Sequence, residues 1–127
     1  MRAPILLVVE DDAIIARHLQ FVLRKLGYQV DCIVRSGADA IQKAAELLPD
    51  LILMDVRMPK MTGYEACKAL KENAVTANIP IVFLSAKGQE AEVQTGFEAG
   101  AVEYILKPFS PDQLTERVQA ILRKYHR

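Results

Sequence analysis

The residues best suited to do chemistry stand where apolar runs stop. "ILLVV" runs into Glu10-Asp11, "LILM" into Asp55, "IPIVFL" into Ser85 and "VEYIL" into Lys107-Pro108. Brought together, three carboxylates repel one another, and some stay protonated unless a cation joins them. Hard oxygen donors in small number suit Mg2+, with Mn2+ as an alternative ion. Mg2+ keeps several waters and shares its shell with a phosphate. A carboxylate held beside such an ion is a competent nucleophile towards phosphorus and would form an aspartyl phosphate. Lys107 could neutralise one phosphoryl oxygen and the Ser85 hydroxyl could donate to another. The chemistry in prospect is phosphoryl transfer by positioning and charge stabilisation.

Whether these groups meet depends on the elements that carry them. Five short apolar runs, at 5–9, 29–34, 51–54, 79–84 and 102–106, alternate with segments able to form helices. Four of the runs are nearly continuous in Val, Ile and Leu, as strands covered on both faces should be. Ile15, Leu19, Val22 and Leu26 step by three and four before Gly27 ends the first helix. Ser36, with Asp39 three residues on, predicts the cap of a second helix whose inner stripe is Ile41, Ala44, Ala45 and Leu48. The third helix is expected over 63–72 and the fourth over 89–98. Ser110, Pro111 and Gln113 open a fifth, with Leu114, Val118, Ile121, Leu122 and Tyr125 on its inner face.

Strands alternating with helices predict an α/β fold in one domain covering 1–127. Five such units predict a flavodoxin-like, doubly wound parallel sheet of order 2-1-3-4-5 with five helices. Ligands bind such sheets beyond the carboxyl ends of the strands, where the strand order reverses. That rule gathers Glu10, Asp11, Asp55, Ser85 and Lys107 on one rim. Arg35 ends the second run, on the edge strand, and is expected to lie away from the reversal.

Composition narrows the function. Sixteen basic residues balance sixteen acidic ones, so no overall field points to nucleic acid or an anionic membrane. The apolar run near the start is too short for a signal peptide core, and nothing approaches a membrane span. Cys32 and Cys67 have no metal-ligand spacing and read as reduced thiols, so a cytoplasmic protein is expected. Each rim residue alone has an ordinary explanation, such as a solvated strand end, a turn or a surface lysine. Their joint placement at four of the five strand ends argues for the site. Asp12 is expected to do no more than cap the first helix. His18 and His126 are expected away from the rim.

"VVEDD", "LILMDVRMPKMTGYE", "IVFLSAK" and "YILKPF", in this order and spacing, resemble the receiver domain of bacterial two-component response regulators, of the chemotaxis-regulator-like kind. The resemblance runs from Ile5 to Tyr125. It implies that Asp55 is the phosphoacceptor, that Glu10 and Asp11 hold Mg2+ with Asp55, and that the backbone carbonyl of Arg57 is a further ligand. It also implies that Ser85 turns towards the phosphoryl group, that Tyr104 is the aromatic switch and that Lys107 binds phosphate. The Lys107-Pro108 peptide is implied to be cis. The first acid is Glu where many members of the family have Asp, so its carboxylate is expected to reach the ion directly or through water. Ser85 stands where a threonine is common and loses a methyl group.

Three functions remain in view at this stage. A phosphatase with an aspartate nucleophile would want a second acid, a cap and a substrate pocket, for which 127 residues leave no room. A docking module that had lost phosphorylation would have no need of the intact set of Glu10, Asp11, Asp55 and Lys107. The expectation is therefore a phosphorylation-activated switch that takes its phosphoryl group from a histidine kinase or phosphotransfer protein. It would catalyse its own modification and slow hydrolysis without being a turnover enzyme. A downstream protein, or a second copy, is expected to dock on the face of helix four, strand five and helix five. Neither nucleic acid nor membrane is expected as a direct partner.

Two further positions bear on how long the modification lasts. Arg57, two residues after Asp55, and Lys87, two after Ser85, flank the path of an attacking water. Both can only donate hydrogen bonds, so neither can orient that water as an acceptor. They are expected to shield the phosphoryl group and prolong its life. Phosphorylation itself is expected to draw Ser85 in and move Tyr104 inward.

Overall fold

Ten elements alternate along the described residues. They are β1 (Leu6–Val9), α1 (Ala13–Lys25), β2 (Ile33–Val34), α2 (Gly37–Leu47), β3 (Leu51–Asp55), α3 (Gly63–Glu72), β4 (Ile81–Ala86), α4 (Val93–Ala99), β5 (Glu103–Lys107) and α5 (Pro111–Tyr125). The structure is a computed structural model that describes residues 3–86, 93–107 and 109–125. The strands form one five-stranded parallel sheet in the order β2-β1-β3-β4-β5, the order the alternation predicts.

Strand alternation divides the core between two faces. Leu6, Val8, Leu51, Leu53, Val82, Leu84 and Ile105 pack against Leu19 and Leu23 of α1 and Leu114, Val118, Ile121 and Leu122 of α5. On the opposite face, Leu7, Val9, Ile52, Met54, Ile81 and Phe83 meet Ala40 and Ala44 of α2 and Ala66, Cys67 and Leu70 of α3. Both faces are covered, which is why the central strands carry no polar alternation. The strand ends are then the one part of the sheet where polar side chains can gather.

Helix ends follow the expected chemistry in three places. The Asp12 carboxylate accepts from the Ile14 and Ile15 amides at 2.9 and 3.1 Å, closing the first turn of α1. Ser36 Oγ accepts from the Asp39 amide at 3.2 Å at the start of α2. Ser110 and Gln113 exchange side-chain to backbone bonds at 3.1 and 2.9 Å, a capping box at α5.

The structure corrects several expectations. The second run was expected as a strand over 29–34, but only Ile33 and Val34 pair in β2, with a single bridge between Ile5 and Gln29. The Val30 carbonyl instead accepts from Gln20 Nε2 and Arg24 Nε of α1, at 2.8 and 3.0 Å. Those side chains replace the sheet bond at that point. In α1 the buried line is Ala16, Leu19 and Leu23, with Ile15 and Val22 half-buried, while Leu26 is the exposed C-cap. In α2 the buried line is Gly37, Ala40 and Ala44; Ala45 is exposed. Leu48 caps α2 in the left-handed conformation at φ 50°, a turn that swings its side chain outward. Tyr125, at the last residue of α5, is also exposed. The described part of α4 begins at Val93; 89–92 lie outside the described residues.

Candidate functional site

Register alone sets most of the site. Val9 pairs with Met54, so Glu10 and Asp55 leave neighbouring strands at the same level. Asp55 pairs with Leu84, and Ser85 and Ala86 pair with Leu106 and Lys107. Glu10 and Asp55 are thus level across β1 and β3, Ser85 lies one residue beyond that level on β4, and Lys107 lies two beyond it on β5. Alternation gives Ser85 the same face as Phe83 and Tyr104, while Asp55 and Lys107 share the face of Leu53 and Ile105. Ser85 is buried at the end of β4.

Glu10, Asp11 and Asp55 each present a carboxylate oxygen within 4.8 Å of the others. Lys107 lies between two of these acids. Its Nζ donates to Glu10 Oε2 at 3.1 Å and to Asp55 Oδ1 at 3.2 Å. Glu10 is almost wholly buried, and its other oxygen accepts from the Asp12 amide at 3.3 Å.

Burial and crowding govern the charges. Glu10 is pushed up to about 7, first by burial and then by the Asp55 charge, against the opposing pull of Lys107. Burial also raises Asp55, with Lys107 pulling the other way and the Asp11 charge adding to the rise. Lys107 is held charged: burial would lower it, but the two carboxylates outweigh burial and raise it. Carboxylates this close retain a proton until a cation replaces it.

The donor set fits a hard divalent cation. Oxygens opposite one another on Mg2+ lie about 4.2 Å apart, from metal–oxygen distances of about 2.1 Å. A 4.8 Å spread needs only a small side-chain closure, or a bridging water on Glu10.

The loop after β3 is fastened tightly. The Val56 amide donates to Leu84 O at 3.2 Å, and the Gly63 amide donates to Val56 O at 2.8 Å. A methyl group on Gly63 would lie 3.0 Å from both Val56 Cα and a Phe83 ring carbon, and closer still to the Asp55 carbonyl. Only glycine permits that approach. Thr62 and Glu65 form a capping box that the sequence reading did not single out, although T-x-x-E before an apolar run is its signature. Lys60 takes φ 71° in the same loop. Arg57 is exposed there. Lys87 lies outside the described residues, as do the Lys107-Pro108 peptide's proline and His126.

Two residues stand elsewhere than expected. Arg35 Nη2 donates to the Asp11 carbonyl at 2.9 Å, so this edge-strand cation leans over the rim. His18 is not remote either: with Ile14, Ile15, Lys107 and Phe109 it lines a cavity of about 470 Å3 beside the acids. The Tyr104 ring, whose population is expected to shift inward on phosphorylation, is buried in this structure. Its hydroxyl is 3.0 Å from that of Tyr64, and its ring centroid lies 5.5 Å from Phe83 and 5.6 Å from Phe97.

With this geometry established, comparison with known proteins is informative. A family model, the response regulator receiver domain, matches residues 6–119. The transcriptional regulatory protein ResD of Bacillus subtilis is 44% identical over 119 residues, covering 94% of this chain and 48% of ResD. The DNA-binding response regulator MtrA of Mycobacterium tuberculosis is 41% identical over 119 residues, covering 94% of this chain and 50% of MtrA. The chain thus spans about half the length of these curated relatives. Among solved structures, a putative response regulator from Chloroflexus aurantiacus superposes with a TM-score of 0.91 at 40% identity, covering 96% of this chain and 99% of that one. The receiver domain of the sensor histidine kinase PA1611 from Pseudomonas aeruginosa, with a magnesium ion coordinated in its active-site cleft, gives 0.87 at 30% identity, covering 95% and 98%. Since the family match takes in every strand and most of the last helix, the chain belongs to the response regulator receiver domain family of two-component systems.

Proposed function

We propose that this domain, over 1–127, accepts a phosphoryl group on Asp55 from a phosphohistidine of a histidine kinase or phosphotransfer protein, and changes its partner-binding surface in response. The observation that carries this reading is the Lys107 ammonium bridging Glu10 and Asp55 within the three-acid cluster. A carboxylate oxygen of Asp55 attacks phosphorus, the bond from phosphorus to the donor imidazole breaks, and the imidazole leaves with the electron pair and takes up a proton. Glu10, Asp11, Asp55 and the Arg57 carbonyl would hold Mg2+, whose charge offsets that of the phosphoryl oxygens when bound. Lys107 turns from Asp55 to a phosphoryl oxygen, and Ser85 donates to another.

The donor imidazole must come in beside Lys107. Exposed Ile14, with Ile15, His18 and Phe109, forms the apolar cavity at that approach. Output is read on α4, β5 and α5, where Phe97 and Leu106 are exposed and Arg117 pairs with Glu103 at 3.2 Å. A downstream protein or a second copy docks there. The relatives' names speak of DNA binding and transcription, in chains about twice this length. This domain has balanced charge and is assigned no direct contact with nucleic acid. No helix among the described residues is long and apolar enough to cross a membrane. A cytoplasmic site of action is part of the proposal.

The test is Mg2+-dependent labelling by acetyl phosphate, followed by the decay of the label. Chelation should stop labelling. Arg57→Asn and Lys87→Glu should each hasten phosphate loss, because each replaces a donor-only side chain with one that can accept from the attacking water. Unchanged or slower loss would remove the shielding role from both residues. Labelling that survives chelation would contradict the metal site.

A further inference from the structure

The buried position of Tyr104 has a cause in this chain. Its hydroxyl pairs with that of Tyr64 at 3.0 Å. Tyr64 stands edge-on to Phe83, at 5.2 Å between centroids and 78° between planes. Phe83 in turn packs on Tyr104, its register partner across β4 and β5. On the far side, Gly96 of α4 supplies the space: a methyl group there would lie 2.6 Å from two Tyr104 ring carbons. Tyr64 is also tied to the site itself. It follows Gly63, whose backbone abuts the Asp55 carbonyl and whose amide donates to Val56 O. Asp55, the start of α3 and Tyr104 are therefore consecutive contacts.

We propose that Tyr64 is the positioning residue that latches Tyr104 inside the α4–β5 face before any phosphoryl group arrives, with Gly96 as the space that admits the ring. The unphosphorylated domain then rests with its output face already arranged around a buried tyrosine. Helix α3 is the lever between Asp55 and that face. The inference rests on the reading of Tyr104 as the residue that couples Asp55 to the output surface. It assigns the resting position of that residue to two others. A hydroxyl pair of this kind shifts an inward–outward equilibrium by roughly fivefold, the usual net worth of one hydrogen bond. Loss of ring space at Gly96 shifts it further, because the Tyr104 phenol is the movable partner in the clash.

Fluorine NMR of the unphosphorylated protein labelled with 3-fluorotyrosine tests this directly. The chain has four tyrosines, and a Tyr104→Phe sample assigns the resonance. In the wild type, the Tyr104 signal should be shielded from a soluble paramagnetic agent. In Tyr64→Phe, which keeps the ring stack and removes only the hydroxyl, its exposure to the agent should rise by roughly fivefold. In Gly96→Ala the signal should be that of a solvent-exposed ring. A Tyr104 signal unchanged in Tyr64→Phe, or exposed already in the wild type, would overturn the latch. Labelling of Tyr64→Phe by acetyl phosphate is measured in parallel. Normal labelling with altered Tyr104 exposure supports the latch. Absent labelling in wild type and variant alike would count against the phosphorylation reading, while the fluorine result still decides the latch.

Discussion

Glu10 is the residue through which pH should act on the metal-free site. Its ordinary value of 4.5 rises to about 7 in the fold, and burial raises Asp55 as well. Between those values the folded protein holds a proton that the unfolded chain has released. The contribution to stability is therefore present below 4.5 and lost as pH rises through about 7. Metal-free protein should melt no lower at pH 6 than at pH 8, and a melting temperature that falls on acidification over that range would contradict the assignment. Divalent-cation affinity should run the opposite way, weakening by up to about tenfold per pH unit below 7 as protons compete. Arg35 makes a second residue-scale prediction. Its guanidinium adds positive charge beside Asp11, and a unit charge about 8 Å from a divalent ion is worth about 1 kcal/mol in water. Arg35→Gln should tighten Mg2+ up to about fivefold by calorimetry at low salt, and no change there would remove its influence. The placement of Glu10, Asp55, Ser85 and Lys107 at neighbouring strand ends was legible in the sequence because strand ends reveal which residues meet across a parallel sheet. Arg35 and His18 were not, because the reach of a long side chain and the lean of a helix are absent from the pattern of apolar runs.

At the scale of elements, the loop from β3 into α3 carries the close backbone contacts around Asp55. Thr62 caps α3, and Gly63 sets the helix against the Asp55 carbonyl. Thr62→Ala should cost about 1 kcal/mol in urea unfolding, the usual value of a lost cap. Gly63→Ala should cost more than that, since backbone and a buried ring must give way. Equal stability of Gly63→Ala and wild type would show that the close approach is not required. Sheet order, five helices and the caps of α1, α2 and α5 could be read from apolar runs and from Ser, Asp and Pro at helix starts. The exposure of Leu26, Ala45 and Leu48 and the length of β2 could not. Leu26 and Leu48 carry the right hydropathy for a stripe, but they fall at caps where the backbone turns outward. Near Val30 the carbonyl finds Gln20 and Arg24, a tertiary partner that strand propensity cannot anticipate.

At the scale of the whole molecule, the proposed input and output surfaces lie apart. The cavity of Ile14, Ile15, His18, Lys107 and Phe109 opens beside the acids, whereas Tyr104 and Phe97 lie towards α4. A small phosphodonor needs only the acids and Lys107. On the proposed reading a protein donor also needs the apolar approach. Ile14→Glu should thus slow transfer from a phosphorylated histidine-containing protein by about tenfold, as loss of an interface anchor does, and leave labelling by acetyl phosphate unchanged. Equal slowing with both donors would place Ile14 in the chemistry instead.

The central claim is that Asp55 carries the phosphoryl group, and acyl phosphates can be trapped. Protein treated with acetyl phosphate and Mg2+, then reduced with borohydride and digested, should yield homoserine at position 55 and nowhere else. Homoserine at Glu10 is chemically impossible, since a glutamyl phosphate reduces to a longer alcohol, so the product itself separates these two acids. Homoserine at position 11, the longer alcohol at position 10, or phosphate retained by an Asp55→Asn variant would contradict the account.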